Sequence, residues 1–253
     1  MKIRPFDKSD ADYARYVEIA NANYPDHPYS VDETRHEDET WNYARYDAAR
    51  WMAELENDGS NTTIGYGELR HRTGEFHPQK FWIDVYVHPD FQRRGYGDAI
   101  YCFVVDQLNQ RNAKEAQTAT DEPRTEVVGF LQRRGFKELR RVWESRLDVS
   151  SFDDSAFSQA EARASQQGIT FTTLAHELAR DPEGAKRRAH TLHEAINADV
   201  PRSGTYTARD YEDWITMLDA PDVLPNGYLI ARHGDEWVAE SCLWRNTTFP
   251  HVL

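Results

Sequence analysis

The chain reads as an α+β protein in which one plan is used twice. Three observations carry that reading. Short β runs alternate with helical stretches, one strand passes through a two-glycine turn straight into a helix, and the order of elements in the first half recurs in the second. A length of 253 residues favours two domains over one. The changeover is placed near Asp148, giving domains at 1–148 and 149–253.

From the N-terminus, residues 2–6 form the first β run, and a helical stretch then ends at Asn21-Ala22-Asn23-Tyr24-Pro25. Ser30 supplies an N-cap for the acidic helix start Ser30-Val31-Asp32-Glu33. Residues 64–69 rise as a strand out of the turn Asp58-Gly59-Ser60-Asn61, which closes a hairpin. The apolar run at 81–87 is the next strand, and His88-Pro89-Asp90-Phe91 is its turn. The helix that follows is fixed by Ile100, Phe103, Val104 and Leu108, which fall on one face at helical spacing. A strand, a short helix and a last strand at 141–147 complete the first copy, and a helix beginning at Ser151 runs to a stop at Gly168.

The second copy opens with a β run at 169–172. Its helix ends at Asn197-Ala198-Asp199-Val200-Pro201, which matches residues 21–25. Thr207 is the expected N-cap ahead of Arg209 and Asp210, and residues 238–243 align with 64–69 after a turn at Gly234-Asp235.

Composition narrows the function. The sequence is 39% hydrophobic and 12% aromatic, which is enough for packed cores and excludes global disorder. Its net charge of −13, from 43 acidic and 30 basic residues, argues against a nucleic-acid partner and would attract a cationic amine. No apolar stretch is long enough for a membrane span and no signal-peptide core follows Met1, so no membrane partner is expected. Cys102 and Cys242 lie in different halves. A disulfide framework is therefore not expected, a reducing cytoplasm is, and the Asn61 and Asn246 sequons read as polar turns.

The stretch Gln92-Arg93-Arg94-Gly95-Tyr96-Gly97-Asp98 is the most informative. Its glycines permit positive φ and close approach to the backbone, and the helix behind it turns its positive end towards the turn, which suits a phosphate. A P-loop would need Gly-Lys-Ser/Thr, but Asp98 follows Gly97; a dinucleotide fingerprint would need a third glycine where Ile100 stands. What remains is Gln/Arg-x-x-Gly-x-Gly behind Val85-Tyr86-Val87-His88-Pro89, with Phe130-Leu131-Gln132-Arg133-Arg134-Gly135-Phe136 further on.

These two segments resemble the acetyl-CoA pyrophosphate loop and the closing Phe-Tyr-x-x-x-Gly-Phe of the GNAT superfamily of N-acetyltransferases. With the repeated plan, the chain resembles a tandem GNAT protein with an incomplete second copy. The resemblance implies a splayed, mostly antiparallel sheet flanked by helices. It also implies acetyl-CoA as co-substrate, no metal, and acetylation of a small, cationic primary amine by direct attack in a ternary complex. Backbone groups of Val85, Tyr86 and Val87 would meet the thioester and pantetheine arm. Gln92, Arg93, Arg94, Gly95, Tyr96, Gly97 and Asp98 would hold the pyrophosphate, with Asp98 facing away from it.

The proton chemistry is less marked. Leu131 stands where the family often has a proton-donating Tyr, so water or another side chain must serve, or the module binds acyl-CoA without turnover. Glu68 and Asp84 are the candidate bases. Strand alternation puts Asp84 on one face with Trp82 and Tyr86, and Glu68 with Tyr66 and Arg70; the alternative readings are a hydrogen-bonded structural carboxylate for Asp84 and an ion-paired strand surface for Glu68. The acidic, aromatic stretch 24–41 is the expected acceptor side. His190 and His193 have metal-pair spacing but no third ligand, and no Gly-x-Ser-x-Gly elbow is present. At the repeat's spacing, the second copy's pre-loop strand would fall past Leu253. A longer native protein or a docking scaffold is then expected, with the hairpin's open edge covered by the first copy or by a second chain in a homodimer.

Overall fold

The structure, a computed structural model, describes residues 1–57, 60–202 and 204–245. The first elements in chain order are β1 (Lys2–Pro5), α1 (Asp10–Asn23), α2 (Val31–Thr40), β2 (Ala48–Asn57), β3 (Ser60–Arg70), β4 (Lys80–Val87), α3 (Tyr96–Gln110), β5 (Glu115–Gln117) and α4 (Thr125–Gln132). There follow α5 (Ala160–Gln166), β6 (Ile169–Thr173), α6 (Leu174–Arg180), α7 (Pro182–Asp199), α8 (Tyr211–Leu218), β7 (Val223–His233) and β8 (Glu236–Trp244). Two compact units result. One is built from Met1–Ala119 and Thr205–Val223, the other from Thr120–Gly204 and Leu224–Trp244. The division thus falls elsewhere than the sequence-derived boundary at Asp148, and α8 belongs to the first unit.

The first unit is a five-stranded sheet in the order β1-β2-β3-β4-β5, in which only β4 and β5 run parallel. Both faces are covered. On one, α3 buries Ile100, Val104 and Leu108. It can approach closely because β3 carries glycine there: a Cβ on Gly67 would sit 2.7 Å from Val104 Cγ2 and 2.8 Å from Ile100 Cγ2. On the other face, Tyr16, Val17, Ile19 and Ala20 of α1 pack with Met52 and Tyr66. The N-terminus of α2 is closed by a capping box, Glu33 N–H donating to Ser30 Oγ (3.1 Å) and Ser30 N–H to Glu33 Oε2 (2.8 Å).

The second unit contains a three-stranded sheet, β6-β7-β8, with β6 antiparallel to β7. Its strand order matches β1-β2-β3, and Gly234 makes the hairpin turn at φ 61°.

Three expectations are corrected. Residues 141–147 form no strand: the segment carries no regular structure and exposes Val142, Trp143 and Leu147. Alternation alone specifies a strand only when a sheet edge accepts it. The helix expected from Ser151 to Gly168 is shorter, two 3₁₀ turns preceding α5; Gly168 does end it, at φ 77°. Thr207 is not an N-cap, because α8 begins after Asp210 and Thr207 binds elsewhere. Asp58, Gly59 and Asn246 lie outside the described residues.

Candidate active site

The turn after β4 is set by backbone conformation. Arg93 has φ 62° and Gly95 φ 84°, so two left-handed residues within three positions swing the chain into α3. Gly95 is the residue capping α3 and has no side chain with which to accept from its first turn, so the helix meets the turn uncapped and positively polarised. A Cβ at Gly95 would meet nothing within 4 Å, so dihedral preference alone calls for glycine there. Gln92 Nε2 donates to Val87 O (2.9 Å) and Asn23 Oδ1 (3.0 Å), tying the turn to the end of β4 and to α1. Arg94 Nη2 donates to Asp90 O (2.9 Å), and its guanidinium lies 5.7 Å from the centre of the Phe91 ring. The left-handed turn, the uncapped helix end and two arginines suit a pyrophosphate.

The strand before the turn has an open stretch of edge. His88 N–H donates to Ile64 O (2.8 Å), and alternation along the antiparallel ladder then makes Tyr66/Tyr86 and Glu68/Asp84 the bonded pairs. The main-chain groups of Val85 and Val87 therefore point away from β3; Val87 O accepts there from Gln92 Nε2 (2.9 Å) and Asn23 Nδ2 (3.1 Å), so the edge is offered by Val85 and by the Val87 N–H. There β5 pairs only with Lys80–Trp82, so the two strands part before Val85. This is the splay that the family resemblance implied.

The face of the sheet towards α1 and α2 carries a row of charges. Arg50, Glu68 and Asp84 are register partners across β2, β3 and β4. Arg50 Nε donates to Glu68 Oε2 (2.8 Å) and Arg50 Nη1 to Asp38 Oδ2 (3.1 Å), while Tyr16 Oη donates to Glu68 Oε2 (3.3 Å). The Arg50 guanidinium also lies over the Tyr16 ring, 3.9 Å from its centre. One position along, Arg70 Nη1 donates to Glu37 Oε1 (2.8 Å). Trp82 Nε1 donates to Asp84 Oδ2 (2.9 Å). Tyr66 and Tyr86 stack beside this row, with ring centres 5.0 Å apart.

The two carboxyls of the row are driven apart. Burial opposes charge on Glu68, but the guanidiniums of Arg50 and Arg70 outweigh it and hold Glu68 below the usual carboxylate range. Burial, reinforced by the negative charge of Glu68, pushes Asp84 up to about 8. The pair is thus polarised, Glu68 favouring its charged form and Asp84 its protonated form.

Glu68 and Asp84 therefore come together, as register partners on one face. Asp38 lies in the stretch 24–41 expected on the acceptor side, whereas Arg50 and Tyr16 escaped the sequence reading; the signal for Arg50 was a lone charge inside Ala48-Ala49-Arg50-Trp51-Met52. Elsewhere, His193 Nδ1 lies 3.1 Å from Glu240 Oε1, and no group of three or more His, Cys, Asp or Glu among the described residues is placed to hold a metal. Cys102 and Cys242 are free thiols. No helix among the described residues is long and apolar enough to cross a membrane.

Residues 15–136 match the family model described as Acetyltransferase (GNAT) family, a span that holds the charged row, the open strand edge and the turn. That segment is a GNAT acetyltransferase domain. The domain makes the chain an acyltransferase. Among solved structures, the GCN5-related glucosamine N-acetyltransferase region of a fungal multi-domain GH3 β-N-acetylglucosaminidase aligns over 94% of this chain and 27% of its own, at 12% identity and TM-score 0.56. A Trypanosoma brucei acetyltransferase aligns over 58% of this chain and 99% of its own, at 17% identity and TM-score 0.43. An aminoglycoside N-acetyltransferase, solved with a CoA bisubstrate analogue, aligns over 58% and 98%, at 21% identity and TM-score 0.42. No curated protein matches the sequence.

Proposed function

We propose that the protein is an acetyl-CoA-dependent N-acetyltransferase that acetylates a primary amine of a small, cationic acceptor by direct attack. The observation that carries this is the position of Asp84, raised to about 8, on the same strand as the open edge at Val85 and Val87. Acetyl-CoA supplies the activated acyl group. The chain's own groups would hold the pyrophosphate at Gln92, Arg93, Arg94, Gly95, Tyr96 and Gly97, and the outward main chain of Val85 with the N–H of Val87 would align the pantetheine arm and polarise the thioester. Asp98, in the first turn of α3, carries a charge that would not favour a phosphate and is kept out of that set.

An amine must lose a proton before it can attack. A carboxylate near 8 is well matched to that task, and Asp84 is assigned as the base that takes it. Glu68, held charged by Arg50 and Arg70, would attract the ammonium form of the acceptor. The departing thiolate is protonated from solvent, since Leu131 has no proton to give.

Val223–His233 and Glu236–Trp244 make the second unit a partial copy in this reading. The shared strand order and the fold likeness across 94% of the chain support it. The phosphate-loop pattern occurs once, so one CoA per chain is expected. The test is free-thiol release from acetyl-CoA against a panel of polyamines, amino sugars and amino acids, with calorimetric CoA stoichiometry alongside. Binding of CoA without thiol release on any amine would reduce the protein to an acyl-CoA-binding module, and two CoA per chain would overturn the single site.

A further inference from the structure

The first unit is not made from the N-terminal half alone, because residues 205–223 belong to it. They bind two places on the acetyltransferase domain. Thr207 N–H donates to Gly74 O (3.0 Å), Phe76 N–H donates to Thr207 Oγ1 (3.0 Å), and Arg209 Nη2 donates to Thr73 Oγ1 (3.1 Å), so the loop between β3 and β4 is gripped from both sides of Thr207. Further along, Arg45 Nη1 donates to Asp210 Oδ2 (2.5 Å), Asn42 Nδ2 donates to Asp213 Oδ1 (2.9 Å), and His36 Nε2 lies 3.1 Å from Thr216 O. Trp214 is fully buried and Leu218 nearly so, so α8 docks through an apolar core as well as through its polar rim.

The second of these places is α2 and the turn that follows it, and α2 is the element that reaches the charged row. Glu37 and Asp38 follow His36 directly and bind Arg70 and Arg50. The family match ends at residue 136, so nothing in it assigns a part to residues 205–218.

We propose that residues 205–218, supplied by the C-terminal half of the chain, are a positioning clasp for the acceptor side of the acetyltransferase site. By pinning α2 at His36 and its following turn at Asn42 and Arg45, the clasp keeps Asp38 on Arg50 and Glu37 on Arg70. Arg50 in turn holds Glu68. The hydrogen bonds of the clasp go to residues 36–45 and 73–76 rather than to the turn at 92–97 that would take CoA, so acceptor and CoA recognition should respond differently to its loss. The kinetic part of this inference rests on the acetyltransferase reading; the structural part does not.

The test uses full-length protein carrying Asp213→Ala, and separately Asp210→Ala with Thr207→Val. Hydrogen–deuterium exchange is measured first, with no ligand. Amides of α2 should exchange about tenfold faster than in wild type, the scale expected when a local opening loses a buried hydrogen bond, while those of β4 and α3 stay unchanged. Steady-state kinetics on the best acceptor should then show an acceptor KM raised about tenfold with the acetyl-CoA KM within about twofold. General destabilisation would instead lower the active fraction and speed exchange in all elements alike. Unchanged α2 exchange in folded variants would overturn the clasp outright. Faster α2 exchange with an unchanged acceptor KM would overturn its positioning role. A wild-type protein that releases no thiol would defeat the acetyltransferase reading and leave the exchange result to judge the clasp.

Discussion

Replacing Glu68 with Gln separates the two carboxyls of the charged row. The substitution removes a charge from beside Asp84 but keeps an oxygen that can accept from Arg50 Nε, so the strand pairing and most of the packing stay in place. Directly paired residues on one sheet face have Cβ atoms about 5 Å apart. Two like charges at about that distance repel by about 3 kcal/mol at an effective dielectric of about 20, equivalent to about two pH units. Arg70 also favours the Asp84 carboxylate, so Glu68 is not its only charged neighbour, and burial, which contributes most to the rise to about 8, is unaltered. These two contributions are the same in both proteins, so removing the Glu68 charge should lower the Asp84 midpoint by about two pH units. In wild type, kcat/KM should rise about tenfold between pH 7 and pH 9, as the Asp84 carboxylate grows from about a tenth to about nine-tenths of the population. In Glu68→Gln the same limb should appear about two units lower, on a weaker plateau because the acceptor's cation loses its partner. Running both proteins on one acceptor cancels that acceptor's own ionisation. A variant dead at every pH would make Glu68 the base, and an unmoved midpoint would show that the two carboxyls do not sense one another.

Three further outcomes follow from the same groups. A carboxyl raised to about 8 in the fold binds a proton that the unfolded chain has already released, so it lowers stability as pH rises from about 4 to about 8; thermal melts should show Tm falling across that window in wild type and a flatter profile in Asp84→Asn, by up to about 1.4 kcal/mol per pH unit. Arg50→Ala leaves the buried Glu68 without its ion pair and should cost about 3–5 kcal/mol by urea unfolding, whereas a loss under about 1 kcal/mol would mean water replaces the guanidinium freely. Gly95→Val should weaken CoA binding measured by calorimetry, because a β-branched residue resists φ 84°, while Gly95→Asn, which tolerates that conformation and meets no neighbour, should bind within a few-fold of wild type; equal affinities for all three would remove the turn from the CoA site.

Local chemistry made much of this protein legible without its fold. The Ser30–Glu33 cap, the helix at Ile100, Val104 and Leu108, and the strand–turn–helix around Gly95 are short-range consequences of hydrogen-bonding side chains, helical spacing and positive φ. Period-two alternation put Asp84 with Trp82 and Tyr86, and Glu68 with Tyr66 and Arg70, on one face each. Alternation could not say that the two faces were the same side of one sheet, because that depends on register, which pairs Glu68 with Asp84 and Arg50 with Glu68. It was equally silent on residues 141–147, whose pattern fits a strand although no ladder forms there. Nor does any local signal bring residues 205–218 to α2, since His36 and Thr216 are 180 residues apart in the chain. Sequence determined which side chains could cap, turn or alternate. The raised carboxyl of Asp84 and the clasp on α2 were decided by tertiary structure, because burial, charge proximity and long-range docking arise only once distant segments share one interior.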